Sequence, residues 1–325
     1  MGRRAQFTAV ICLIASSPPI TAEESAWSYS TESEEADASD VFLPAASFFI
    51  PGLGQWCRGQ FSRGAIYSGV AIGGVSYAQS TTADFDVTKI TSGEFSEKNV
   101  AVRKYLFGSQ VYQASGGLSL YHTFRSSVWQ RQKFGKYSFL GQGDSPADVL
   151  LAPFQFQFLA RSSSWIPLGV MGVLAGYLAS HPDQGQHISG LGREDPWFAA
   201  VFSYNAGTHE EAVFRGWAMP LFHEGGLSEG WSNLAQAALF AAAHLGSNKI
   251  PLPQFFLGLH LGNVTQRNHW TLQESIFIHV WWDVFAFLGG YYVEKDSPSS
   301  SITIRGLAAS KPRASLFLPP IDIHF

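Results

Sequence analysis

The sequence predicts an all-α fold, specifically a polytopic helical membrane protein whose C-terminal helical bundle encloses a polar intramembrane cavity. Only 14% of the 325 residues are Asp, Glu, Lys or Arg, and another 14% are aromatic. An ordinary soluble domain has about 25% charged residues, and lipid penalises charge while it tolerates aromatic and small side chains. In addition, apolar stretches of helix length follow one another along the chain, and several of them carry ionisable residues.

The composition also excludes several classes of protein. The formal net charge is −4, and no basic stripe is present, which argues against a nucleic-acid partner. The two cysteines, Cys12 and Cys57, are too few for a disulfide framework or a thiolate zinc site.

Residues 1–22 are typical of a secretory signal peptide. Arg3 and Arg4 precede a short apolar core, and Thr21-Ala22 forms a plausible cleavage site. An uncleaved anchor helix is the alternative, but about nine apolar residues span too little of a bilayer. Residues 23–41 are acidic and Ser-rich, which predicts a disordered segment.

Residues 42–140 are predicted to form an N-terminal membrane segment with the motif Pro51-Gly-Leu-Gly-Gln55, to which the sequence assigns no reaction. The short apolar runs on either side of this motif fit a hairpin of short or re-entrant helices as well as two full spans. A marginal span over residues 105–124 is followed by basic residues, which the positive-inside rule places on the cytoplasmic side.

Residues 147–295 have the pattern of a helical bundle. Stretches with helical character cover residues 147–160, 165–179, 197–222, 232–245, 252–266 and 271–292. Gly258 and Gly262 give one of these helices a small-xxx-small face for close helix packing. Residues 296–325 are rich in Ser and Pro and are predicted to be a flexible tail.

Ionisable residues inside these apolar helices suggest function, because each is costly to bury in a membrane. Glu211 and Arg215 are four residues apart in the favourable order for a helical ion pair. This pairing leaves Glu210, rotated by about 100° around the helix, to face a different partner. The alternative is an interfacial helix end whose acids are solvated.

Two further helices carry histidine. His244 lies near a helix end, where a lone histidine is more often a cap or a satisfied core residue than a functional one. His279 and Asp283 are four residues apart, so the carboxylate could accept a proton from the imidazole. A structural His–Asp pair would explain these two residues, but it would not explain Glu210 and His244.

Taken together, the polar residues form three ordered motifs that resemble those of the CAAX prenyl endopeptidase and bacteriocin-processing (CPBP) family. The resemblance extends over roughly residues 147–294. The motifs are EExxxR (Glu210, Glu211, Arg215), FxxxH (Phe240, His244) and HxxxN or HxxxD (His279, Asp283). Members of this family are intramembrane peptidases that use water to cut polypeptides.

The resemblance implies a role for each motif residue. Glu210 would be the general base, and His244 would share the attacking water. His279 and Asp283 would stabilise the oxyanion. The remaining pair, Glu211 with Arg215, would hold the base helix in place. Many members carry Asn at the position of Asp283, so this Asp is either protonated or serves His279, whose imidazolium then donates; we favour the second option.

Zinc is an alternative to metal-free chemistry. Glu210, His244 and His279 satisfy the donor count of a catalytic zinc site with an open position for water. No HExxH spacing is present, however, and the family has been described both as metallopeptidases and as glutamate peptidases. We favour no cofactor, because Glu210 as a ligand would leave Glu211 as the base, and Glu211 is better paired with Arg215.

The sequence therefore favours an intramembrane endopeptidase in a bacterial inner membrane. Its expected partners are the lipid bilayer and a peptide or protein substrate at the membrane. The runner-up is a non-catalytic membrane protein that binds a peptide or confers self-immunity. An ion or proton transporter that uses the same buried acids is a weaker alternative.

Overall fold

The computed structural model describes residues 38–81, 100–141, 143–180, 196–245 and 251–294. All regular structure within these ranges is helical, which confirms the all-α prediction. The predicted signal peptide and C-terminal tail lie outside the described residues, as does most of the predicted acidic segment. The last residues of that segment, for which the composition predicts disorder, belong to a helix that begins at Ala38.

The N-terminal part consists of four helices, of which the last is by far the longest. They are α1 (Ala38–Phe49), α2 (Leu53–Cys57), α3 (Phe61–Gln79) and α4 (Val100–Arg131). Helices α1 and α3 both pack along α4. The apolar run that follows the Pro51-Gly-Leu-Gly-Gln55 motif thus forms a helix, α3, as predicted.

The Pro51-Gly-Leu-Gly-Gln55 motif connects α2 to α4 through hydrogen bonds. The backbone N–H of Gly52 donates to Ser119 Oγ at 2.8 Å, and the Gln55 side chain both donates to Ser119 O and accepts from Ser119 Oγ. Gly52 has φ of 96°, and a Cβ there would lie 2.3 Å from the Gly64 carbonyl oxygen. Only glycine fits this turn, so the motif has a structural role.

The C-terminal part begins with a short helix whose N-terminus carries a capping box between Ser145 and Asp148. Two 3₁₀ turns follow, at Ala152–Phe154 and Phe156–Ala160. The α-helices of this part are α5 (Pro146–Leu151), α6 (Ser162–Ser180), α7 (Pro196–Val213), α8 (Met219–Glu224), α9 (Glu229–Ala243), α10 (Leu252–Arg267) and α11 (Gln273–Glu294), and a π-helical turn (Phe214–Ala218) joins α7 to α8.

Helix α7 packs against both α4 and α11, and each contact depends on a glycine. A Cβ at Gly117 of α4 would lie 2.6 Å from the Cβ of His209. A Cβ at Gly207 of α7 would lie 2.5 Å from a methyl group of Val280. The absence of side chains at these two positions lets the three helices approach closely, which brings the polar residues of α7 and α11 together.

Helices α9 and α10 meet along the face predicted from Gly258 and Gly262. A Cβ at Gly262 would lie 2.0 Å from Asn233 Oδ1. The side chains of Asn233 and Gln236 donate to the carbonyl oxygens of Leu259 and Gly258, both at 2.9 Å. The prediction of a tight helix contact is confirmed.

The prediction of membrane-spanning helices is not met in the described ranges. None of the helices there combines the length and the apolar character that crossing a bilayer requires. In α4, for example, the polar side chains of Gln110, Gln113 and His122 interrupt the apolar sequence, and all three are buried against neighbouring helices.

Candidate active site

The end of α7 and the π-helical turn carry the first group of predicted site residues. Glu210, Glu211 and Arg215 are all almost completely buried. The π-turn at Phe214–Ala218 widens the helix at Arg215, and a Cβ at Gly216 would lie 2.6 Å from the ring of Tyr121 on α4. Single π-turns inside α-helices are frequent at functional sites.

Glu211 joins two helices through one carboxylate oxygen. Its Oε1 accepts a hydrogen bond from Arg215 Nη1 at 2.8 Å, so the predicted i,i+4 ion pair is present. The same oxygen lies 2.7 Å from His279 Nδ1, on α11. Because the carboxylate can only accept, Nδ1 of His279 carries the proton in this contact.

Glu210 faces the gap between α7, α9 and α11. Neither of its carboxylate oxygens accepts a hydrogen bond from the described residues. The nearest ring nitrogens are His279 Nε2 at 3.6 Å and His244 Nε2 at 3.9 Å, both measured to Glu210 Oε2. A buried carboxylate without donors is costly, so this arrangement makes Glu210 a candidate for a catalytic role.

His244 immediately follows α9 as its C-cap residue, and its ring is fixed by the FxxxH spacing. Its Nδ1 lies 2.7 Å from the carbonyl oxygen of Phe240, one helical turn earlier. That contact directs Nε2 towards Glu210. The Phe240 ring also packs edge-on against the rings of His244 and His279, and the Arg215 guanidinium lies 4.4 Å from its centroid.

The expected hydrogen bond between His279 and Asp283 is not present. His279 Nε2 and Asp283 Oδ2 are 3.7 Å apart, beyond hydrogen-bonding distance, and Oδ2 has no hydrogen-bond partner among the described residues. The ring is instead oriented by Glu211. The i,i+4 spacing therefore brought the two groups near each other, but the rotation of α11 turns Nδ1 towards α7.

The three predicted motifs thus meet in one buried cluster built from α7, α9 and α11, with Glu210 facing both histidines. This arrangement agrees with the outcome of a family comparison. Residues 192–285 match the type II CAAX prenyl endopeptidase Rce1-like family.

The Rce1-like match confirms the resemblance inferred from the motifs, over a shorter stretch than the sequence indicated. It contains every candidate site residue, from Glu210 to Asp283, and covers less than a third of the chain. No curated protein and no solved structure matches the chain.

The three residues considered as zinc ligands, Glu210, His244 and His279, lie together in this site. Among the described residues, no group of three or more His, Cys, Asp or Glu side chains is arranged to hold a metal ion. Phe240 and Glu211 hold the Nδ1 atoms of the His244 and His279 rings, so both Nε2 atoms face Glu210. Contacts of this kind at Nδ1 are made by catalytic histidines and by metal-bound histidines alike.

Two features of the Rce1-like segment were not found from its sequence. The first is that Glu211 accepts hydrogen bonds from both Arg215 and His279, which depends on how α7 and α11 are rotated about their axes. The second is His209, which is buried next to Glu210, with its Nδ1 2.6 Å from the carbonyl oxygen of Asn205. The run His209-Glu210-Glu211 was a signal for it, because three consecutive polar residues in an apolar helix cannot all face one partner.

Proposed function

We propose that the protein is a peptidase that hydrolyses a peptide bond with water activated by Glu210. One observation carries the proposal: a buried carboxylate with no hydrogen-bond donor in the described structure faces two histidine ring nitrogens at 3.6 and 3.9 Å. The Rce1-like match over residues 192–285 supports the same class of reaction.

In the proposed first step, Glu210 acts as the general base. A water molecule next to Glu210 Oε2 would donate one hydrogen bond to that oxygen and the other to His244 Nε2. His244 can accept it because its Nδ1 proton is donated to the Phe240 carbonyl oxygen, which leaves Nε2 unprotonated in the neutral ring. The water oxygen then attacks the scissile carbonyl as its proton moves to Glu210, which later delivers it to the leaving amine.

His279 is the proposed donor to the oxyanion. Carboxylate oxygens of Glu211, Glu210 and Asp283 lie 2.7, 3.6 and 3.7 Å from its ring nitrogens. Such surroundings stabilise an imidazolium, whose Nε2–H can donate to the tetrahedral intermediate. Asp283 then contributes charge beside His279 rather than a hydrogen-bond donor of its own.

Glu211 and Arg215 are proposed to hold this arrangement before substrate binds. Glu211 accepts from both Arg215 and His279, so it fixes the position of α11 relative to α7. Rigid placement of the donor lowers the reorganisation needed when negative charge develops on the substrate.

We further propose that the reaction takes place at a membrane and that it requires no metal. Large apolar side chains are exposed along α6, where Val173 is 75% exposed and Val170 is 61% exposed. A contiguous apolar surface of this kind suits contact with lipid. The bacterial inner membrane remains the proposed location, and a membrane-associated polypeptide remains the proposed substrate.

The test is peptidase activity of the purified full chain on a peptide library, read by mass spectrometry. We expect Glu210→Gln to lower the cleavage rate by about 10²- to 10⁴-fold, the usual contribution of a general base. Glu229→Gln is the matched control, because Glu229 is exposed at the start of α9. His244→Ala should also reduce cleavage strongly.

A chelator arm separates the two proposed chemistries. Unchanged cleavage after exhaustive chelation supports the metal-free mechanism, whereas loss of cleavage that zinc restores would favour the metallopeptidase. If folded wild type and Glu210→Gln variant gave the same uncleaved library, the peptide-binding alternative would replace catalysis.

A further inference from the structure

A second polar site lies away from Glu210, where the N-terminal ends of α6 and α11 meet the last turn of α10. It is a cavity of about 360 Å³ with Arg161, Ser162, Ser163, Arg267, Asn268 and Glu274 in its lining. None of these residues belongs to the three motifs, and the proposed peptidase mechanism uses none of them.

The one acidic side chain in this cavity is already saturated with donors. Glu274 is buried and accepts hydrogen bonds from Arg161, Ser163, Ser164 and Asn268. Arg161 uses only its Nη1 atom in this contact and in a further one to Asn268 Oδ1 at 3.1 Å. The single positive charge of Arg161 therefore balances Glu274, while its Nε and Nη2 N–H groups remain available as donors.

One positive charge, that of Arg267, is left over for a ligand. Nε and Nη2 of Arg161 make no hydrogen bond to the described residues, and Arg267 forms no ion pair with them. The backbone N–H groups of Ser162 and Ser163 begin the 19-residue α6, so the positive end of its dipole also points to this region. Two guanidinium groups, the Ser162 hydroxyl and a helix N-terminus together match a phosphate group.

The surface beside the cavity is apolar. Phe156 and Leu159, on the second 3₁₀ turn, are 53% and 46% exposed, and Trp165 in the first turn of α6 is 54% exposed. Arg161 lies between these residues in the chain, with its guanidinium carbon 5.0 Å from the centroid of the Phe158 ring. A cationic pocket bordered by exposed aromatic side chains suits a ligand that has an anionic head and apolar chains.

We infer that this cavity binds the phosphate headgroup of an anionic phospholipid, with its acyl chains lying over Phe156, Leu159 and Trp165. The inference concerns a site separate from the peptidase centre and does not depend on catalysis. A soluble phosphate compound would use the same donors but would gain nothing from the apolar border.

The test is native mass spectrometry of the full chain in detergent, titrated with phosphatidylglycerol, phosphatidylcholine or soluble glycerol phosphate. We expect tighter binding of phosphatidylglycerol than of the other two. Arg267→Gln should weaken phosphatidylglycerol binding about fivefold, the effect of one surface cation on an anionic lipid. Lys133→Gln is the control, because it removes one exposed positive charge that does not line the cavity.

Arg267 is chosen because its replacement leaves Glu274 and its donors in place, so the variant should fold. A thermal shift with added phosphatidylglycerol gives a second readout, since a ligand that binds the native state raises its stability. The inference is overturned if both lipids bind equally or if Lys133→Gln weakens binding as much as Arg267→Gln. Equal binding of glycerol phosphate, lost in Arg267→Gln, would instead identify a site for a soluble phosphate.

Discussion

At the scale of single residues, two neighbouring glutamates have opposite surroundings. Glu211 Oε1 receives hydrogen bonds from Arg215 and His279, whereas neither oxygen of Glu210 receives one from the described residues. Both side chains are buried to the same degree. This difference in hydrogen bonding supports the proposed roles, in which Glu211 holds the structure together and Glu210 acts as the base.

This division predicts different effects for the same substitution at adjacent positions. Glu211→Gln should lower the free energy of unfolding by about 3–5 kcal/mol, because it leaves the buried Arg215 without a counter-charge. Glu210→Gln should cost much less, since no hydrogen bond to the described residues is lost. Chemical denaturation of the two variants in the same detergent measures both values, and equal losses would contradict the assignment.

The sequence predicted part of this arrangement. The four-residue spacing was enough for the Glu211–Arg215 pair, because it depends only on helix geometry. That His279 forms its hydrogen bond with Glu211 and not with Asp283 could not be predicted in the same way. It depends on the rotation of α11 relative to α7, which is set by contacts between residues far apart in the chain.

At the scale of elements, the approach of α4 to α7 depends on a position without a side chain. A Cβ at Gly117 would lie 2.6 Å from the His209 Cβ and 3.0 Å from its Cα. Backbone atoms cannot move aside as a flexible side chain can, so the two helices would have to separate. Because His209 precedes Glu210, that movement would reach the site.

We therefore expect Gly117→Ala to destabilise the protein by about 1–3 kcal/mol through overpacking, and to lower the cleavage rate. Gly73→Ala is the matched control, since a Cβ at this exposed position inside α3 would meet nothing within 4 Å. The control should gain about 0.5–1 kcal/mol from helix propensity alone. Thermal unfolding of both variants measures these changes in stability. If both variants were stabilised or both destabilised, the packing argument would be contradicted.

The helices themselves were predicted more accurately than their irregularities. The stretch 252–266 forms α10 at Leu252–Arg267, because apolar periodicity is a local signal. The π-turn at Phe214–Ala218 was not foreseen. It lies where Gly216 is pressed against Tyr121, a contact with a helix about 95 residues earlier that no local pattern contains.

At the scale of the whole molecule, the N-terminal helices support a site to which they contribute no motif residue. The segment that matches the Rce1-like family starts at residue 192, yet α4 packs along α7 and lies against Gly216 through Tyr121. The sequence suggested a separate segment over residues 42–140 with no assigned role. Its role in packing could not be predicted because it comes entirely from contacts across long chain separations.

A single carboxylate makes a second connection between the two parts. Asp144 Oδ2 accepts from the Tyr121 hydroxyl on α4 and, at 2.8 Å, from the backbone N–H of Leu272 just before α11. Its Oδ1 accepts from the Gln273 side chain at 3.0 Å. Asp144 thereby satisfies donors at the start of the helix that carries His279.

The environment of Asp144 predicts how stability depends on pH. Burial raises the pKa of its carboxyl above the ordinary value of 3.8, and the hydrogen bonds from Gln273, Leu272 and Tyr121 offset only part of that rise. The folded state therefore holds the proton more tightly than the unfolded state. The resulting stabilisation is complete below about pH 4 and is lost as the pH rises through the folded-state pKa.

Asp144→Asn isolates this contribution, because the amide keeps an acceptor for Leu272 but does not titrate. We expect the melting temperature of the wild type, relative to that of the variant, to be highest near pH 4 and to fall towards neutral pH. Other groups titrate in both proteins, so their effects cancel in the difference. A difference that stays constant or grows with pH would show that Asp144 is ionised in the fold at no cost, and that its charge stabilises the start of α11.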